Sequence, residues 1–127
     1  MKAKRSACVI LFIALLAGVF GPSLIAAPKQ FIYVIRPVSR LQVEAHWTET
    51  DNAVVAEHFG YLKGLLADGR LILAGKTDGL DERTFGIVVF EAESMEAAER
   101  TMKDDPAVKA GIMTGEVFGY SVALGRS

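Results

Sequence analysis

The chain's apolar and polar positions fall into short runs of distinct period. Phe31, Ile32, Tyr33, Val34 and Ile35 are all β-branched or aromatic, and Pro37 ends the run, which predicts a first strand over residues 30–35. Residues 38–47 are mixed and polar up to Trp47 and read as a loop leading into a helix. Thr48 or Thr50 suits the N-cap, with Glu49 and Asp51 placed at the positive helix end. Val54, Val55, His58, Phe59, Leu62, Leu65 and Leu66 then recur at helical spacing until Asp68-Gly69, where glycine supplies the stop. Leu71–Ala74 is a short apolar strand, residues 75–83 a turn-rich loop, and Phe85–Phe90 a third strand. Ser94 caps a second helix in which Met95, Ala98 and Met102 share a face, and Asp104-Asp105-Pro106 closes it, because a residue before proline is pushed out of helical geometry. Asp105 is placed to cap one further turn that starts at Pro106 and ends at Gly111. Last, Glu116–Leu124 alternates, with Phe118, Tyr120, Val122 and Leu124 on one side, and predicts a fourth strand.

The predicted order is β-α-β-β-α-β, the split-βαβ or ferredoxin-like arrangement of the α+β class, with two main helices on one face of a four-stranded antiparallel sheet. A sheet covered on one side alone carries polar residues at alternate positions. Strands one and three do not: Phe31, Tyr33 and Ile35 oppose Ile32 and Val34, and Phe85, Ile87 and Val89 oppose Val88 and Phe90. A second apolar face needs a cover that so short a chain does not supply, which predicts a homodimer packed sheet to sheet.

The first 27 residues change the compartment. Lys2, Lys4 and Arg5 precede an apolar run from Ala7 to Phe20, then Gly21-Pro22 and a small-residue stretch ending at Ala26-Ala27. This is the layout of a secretory signal peptide, and its core is shorter than the roughly 20 residues of a spanning helix. The expectation is a signal over residues 1–27, a mature domain over 28–127, a periplasmic or secreted location, and no membrane attachment once the signal is removed. Cys8, the single cysteine, lies within the signal, so the mature domain has no disulfide, cysteine nucleophile or thiolate metal site. Losing Lys2, Lys4 and Arg5, with no acid among the same residues, takes the formal charge from −1 to −4. A mildly acidic domain lacks the electrostatic footprint for nucleic acid.

Few side chains are left to carry chemistry. His58 lies four positions after Val54 and four before Leu62, on or beside the stripe that faces the sheet, where imidazole needs a partner. It is read either as a hydrogen-bonded structural residue or as a catalytic or ligand-binding one. Asp105 has two compatible roles, capping the turn at Pro106 and orienting His58 while stabilising the imidazolium formed on protonation. Tyr61, three positions after His58, and Lys76, at the end of the second strand, are candidate substrate-binding residues; a core aromatic and a solvated lysine are their plainer readings. His46 and Trp47 read as packing in the loop before the helix. Two histidines with eleven residues between them match no zinc spacing, so no metal is expected. With no Gly-rich phosphate loop or serine elbow, no cofactor is expected either.

Three segments, Glu57-His58-Phe59-Gly60-Tyr61-Leu62-Lys63, Asp68-Gly69-Arg70-Leu71-Ile72-Leu73-Ala74-Gly75 and Asp105-Pro106-Ala107-Val108-Lys109-Ala110-Gly111, together resemble the YCII-related (YciI-like) family. The resemblance runs from about Phe31 to Leu124. It implies a dimeric α/β barrel of ferredoxin-like subunits and a His-Asp pair proposed as an active site, here His58 and Asp105. Some members act on chlorinated or hydroxylated aromatic breakdown products, and similar barrels include muconolactone isomerases. The chain departs from the family pattern in Lys76, where proline usually follows the Ala-Gly, in Gly119-Tyr120, which replaces a proline-aromatic pair, and in its export signal. Two functions are weighed: a proton-transfer enzyme, isomerase or lyase, acting on a small cyclic or carbonyl-bearing molecule, and a non-catalytic small-ligand-binding or sensing dimer. Haem binding through His58 borrows from other barrels alone and is set aside.

Overall fold

The computed structural model describes residues 27–126 together with Gly18. The rest of the expected signal lies outside the described residues. Strand β1 (Lys29–Pro37) is followed by helix α1 (Glu49–Ala67), strands β2 (Leu71–Lys76) and β3 (Gly86–Ala92), helices α2 (Met95–Lys103) and α3 (Pro106–Lys109), and strand β4 (Met113–Gly119). The four strands form one sheet in the order β2-β3-β1-β4, with every neighbour antiparallel. This is the ferredoxin-like α+β architecture that the element order predicts.

Alternate residues of the two central strands build the core. Phe31, Tyr33 and Ile35 of β1, with Val88 and Phe90 of β3, pack against Leu62 and Leu65 of α1 and Ala98 and Met102 of α2. Tyr33 meets Phe90 edge-on at 5.6 Å between ring centroids. On the other face Ile32 and Val34 are half-buried, while Leu73 and Phe118 are 47% and 46% exposed, so the sheet is apolar on both sides.

Residues 38–47 are more ordered than the loop their polarity predicts. They make two short helical turns, Ser39–Gln42 and Glu44–His46, folded back on the start of α1. The Trp47 indole N–H donates to the Leu41 carbonyl at 3.0 Å. Arg40 reaches Asp51 with both terminal nitrogens, each at 2.8 Å. Of the two possible caps Thr48 is used, in a reciprocal box: the Asp51 N–H donates to Thr48 Oγ1 at 3.2 Å, and the Thr48 N–H donates to Asp51 Oδ2 at 2.9 Å. At the far end Gly69, with φ of 72°, makes the left-handed turn that releases the chain into β2.

Two expectations are corrected. Phe59 and Leu66 share the predicted α1 stripe but are 56% and 60% exposed, because that stripe is wider than the arc the sheet covers. The last strand runs over Met113–Gly119 instead of Glu116–Leu124. Its partner is β1 alone, and the ladder ends at Gly119 opposite Phe31, two residues short of the start of β1 at Lys29. Tyr120 still donates to the Gln30 carbonyl at 3.0 Å, and Tyr120, Val122 and Leu124 are exposed despite their alternation.

The hydrogen bonds from Arg40 and Thr48 hold the Asp51 carboxyl well below the usual carboxylate range. A depressed native pKa contributes stability that is complete above the unfolded value of about 3.9 and is lost as pH falls through the native value. Asp51→Asn is therefore expected to lower the urea midpoint at neutral pH, with the gap to wild type closing as the titration is carried below about pH 4. A constant gap across that range would show that the charge is not the source.

Candidate functional site

The site forms where three elements meet one carboxylate. Asp105 occupies the corner between α2 and α3, in the extended conformation that Pro106 imposes on its predecessor, with φ of −60° and ψ of 123°. Its Oδ1 accepts the Ala107 N–H at 3.0 Å, the N-cap bond of α3. From β1, the Tyr33 hydroxyl donates to Oδ2 at 2.7 Å. From α1, His58 Nδ1 approaches Oδ1 at 2.7 Å and Oδ2 at 2.8 Å. Asp105 is wholly buried and His58 is 7% exposed. Capping and imidazole binding, the two roles expected of Asp105, coexist in this geometry.

A carboxylate only accepts, so the hydrogen between the two side chains belongs to His58 Nδ1, and Nε2 carries the free lone pair of the neutral ring. Among the described residues Nε2 has no hydrogen-bond partner, yet none of the buried side-chain nitrogens or oxygens is unsatisfied. The nitrogen therefore meets open space. His58 also lines a cavity of about 240 Å³ between α1 and the sheet, bounded with it by Phe59, Trp47, Lys76, Thr84 and Phe85 and aliphatic neighbours.

Burial and then the charge of Asp105 push the Tyr33 phenol far above its ordinary pKa, so it stays a neutral donor. Tyr33 escaped the sequence reading, although one signal was present: a tyrosine at a fully buried alternate position must find a partner for its hydroxyl.

Lys76 lines the cavity, and its ammonium donates to the Thr77 carbonyl at 2.9 Å. Tyr61, the other residue expected to bind substrate, is not among the residues that line it. One turn beyond His58 it meets α2, where its hydroxyl donates to the Thr101 carbonyl at 2.7 Å, and burial, followed by the charges of Asp104 and Asp105, pushes it up to about 12. His46 is exposed, with Nδ1 at 3.2 Å from the Arg40 carbonyl, and takes no part in the site. Among the described residues no three His, Cys, Asp or Glu side chains gather as metal ligands.

Fold and site together define the class: an α+β ferredoxin-like domain with a histidine-carboxylate pair behind a small apolar hollow. The chain belongs to the YCII-related family, whose domain model matches residues 32–118. A similar solved structure is 5-chloro-2-hydroxyhydroquinone dehydrochlorinase (TftG) from Burkholderia phenoliruptrix AC1100, in complex with 2,5-dihydroxybenzoquinone. The two share 22% identity and a TM-score of 0.55 over 72% of this chain and 93% of the other, a likeness of fold. No curated protein matches the chain.

Tyr33→Phe removes one donor from a buried carboxylate and leaves the ring packing in place. It is expected to lower the unfolding free energy by about 1–3 kcal/mol in urea titration. A change within measurement error would mean that the hydroxyl does not hold Asp105.

Proposed function

We propose that this protein is a proton-transfer enzyme, an isomerase or lyase, acting through the His58–Asp105 pair on a small cyclic or carbonyl-bearing molecule. One observation carries the reading: His58 joins two environments, with Nδ1 2.7 Å from a wholly buried carboxylate and the residue itself in the wall of a cavity. Nε2 is the base. When it takes a proton from an acidic C–H of the ligand, the imidazolium that results is stabilised by Asp105, which is already bonded and needs no reorganisation. Return of that proton to another carbon completes an isomerisation. In an elimination, the C–H electron pair becomes the new π bond and the leaving group departs from the adjacent carbon with its own pair.

The scale of the cavity supports a small ligand, since about 240 Å³ falls below the roughly 300–1,000 Å³ of sites for drug-sized molecules. The structural neighbour's name describes an elimination, and the ligand in its complex is a single six-membered ring. Both facts belong to that protein, and they agree with the chemistry proposed for this one.

The proposal has two further parts. Two copies pack through the outer sheet face, a reading supported by Ile32 and Val34 at its centre and by exposed Leu73 and Phe118 towards its edges. The protein is exported, a reading supported by the basic start and short apolar run before Ala27.

Turnover of a panel of cyclic enones, lactones and halogenated hydroxyquinones tests the chemistry. His58→Gln is expected to lower kcat about 10²–10⁴-fold while leaving the circular dichroism spectrum unchanged. Equal rates would reject His58 as the base, and binding by wild type with no turnover across the panel would favour the non-catalytic ligand-binding module. Light scattering is expected to give twice the mass of the mature chain, and a monomer would sink the dimer. N-terminal sequencing of the exported protein is expected to begin near Pro28.

A further inference from the structure

We propose that the ligand of this cavity is an organic anion, a small carboxylate, enolate or phenolate, whose charge is met by Lys76. The inference deepens the proposed function and rests on it for the identity of the cavity as the site. Its ground is the charge on the cavity wall. Among the residues that line the cavity, Lys76 is the one permanently charged side chain, and no aspartate or glutamate is present. Among the described residues Lys76 forms no ion pair; its one hydrogen bond goes to the adjacent Thr77 carbonyl, which leaves two of three ammonium hydrogens to donate elsewhere.

The acids of the following loop do not neutralise it. Asp78, Asp81 and Glu82 are absent from the cavity wall, and Asp81 is engaged with the Arg83 N–H at 2.7 Å. Asp105 stands behind His58, committed to His58, Tyr33 and the Ala107 N–H. Lys76 thus stands as an exposed cation at the rim of a hollow that Phe59, Phe85 and Trp47 also line. A cation at that rim without an ion-pair partner prefers an anion to its neutral isostere.

The arrangement also bears on the chemistry. Proton removal by Nε2 places negative charge on the ligand, and a cation at the margin of the same hollow lowers the energy of that state. His58 and Lys76 come from α1 and from the end of β2 and line one cavity, so two separate elements meet a ligand held there.

Benzoate and its neutral isostere benzamide, together with the open-chain pair crotonate and crotonamide, are suitable probes. They are titrated into the full-length protein while backbone amide resonances are followed by NMR. Each carboxylate is expected to shift amides around residues 58–59, 74–77 and 84–87, and to bind about five- to tenfold more tightly than its amide. Lys76→Met is expected to abolish that preference and Lys76→Arg to keep it; Lys76 is exposed, so both variants are expected to fold. Equal affinity for acid and amide, a preference that survives Lys76→Met, or no binding of either carboxylate at millimolar concentration would each overturn the proposal.

Two readouts separate this inference from the catalytic one. Anion preference that depends on Lys76, without turnover of any compound, removes the enzyme and keeps the anion site. Turnover of neutral substrates that depends on His58, with no anion preference, does the reverse.

Discussion

A wholly buried carboxylate is tolerable only when its oxygens are occupied, and the Asp105 side chain is occupied from three directions. Tyr33 reaches it from the sheet, His58 from the long helix, and the Ala107 N–H from the short helix that Asp105 itself starts. Each donor belongs to a different element of the fold, so the cost of leaving the charge unpaired is a constraint on how those elements sit. Removing one partner of such a group costs several times what an average hydrogen bond contributes. The register of β1, the rotation of α1 and the break between α2 and α3 are thereby tied to one point.

This constraint also orients the ring that the proposed chemistry uses. Because both Asp105 oxygens accept, Nδ1 must carry the hydrogen, and in the neutral ring the lone pair is then on Nε2. A structural histidine sealed by apolar neighbours would satisfy the same carboxylate and do nothing more. Here His58 also lines a hollow whose wall is mostly aliphatic and aromatic, with Lys76 at its margin. Stability and reactivity draw on the same hydrogen bond, which is why the structural and functional readings of His58 are compatible.

The sheet shows a different division of labour. Its helix-facing residues close the core, while the outer face repeats the apolar character of the inner one. Nothing in the folding of one chain requires Ile32 and Val34 to be apolar, and the proposed pairing of two copies gives that pattern a physical cause. Arg40 and Asp51 serve a more local end: they pin the short turns before α1 and so place Trp47 at the cavity wall.

Local chemistry by itself determined most of the elements. β-Branched runs mark β1 and β3, Thr48, Ser94 and Asp105 mark the helix starts, and Gly69 and Gly111, both with positive φ, mark two stops. These signals depend on neighbours a few residues apart, which the order of amino acids states directly. The pairing of His58 with Asp105 stood as one of two roles for the aspartate and was sharpened by the resemblance, since no periodicity relates residues 47 positions apart. Tertiary structure alone decided the rest: that Tyr33 completes the carboxylate's shell, that Tyr61 turns to α2, and that β4 leaves the ladder at Gly119 opposite Phe31. Alternation continues through Tyr120, Val122 and Leu124, but a strand needs a partner as well as a pattern, and only the assembled sheet determines where partners run out.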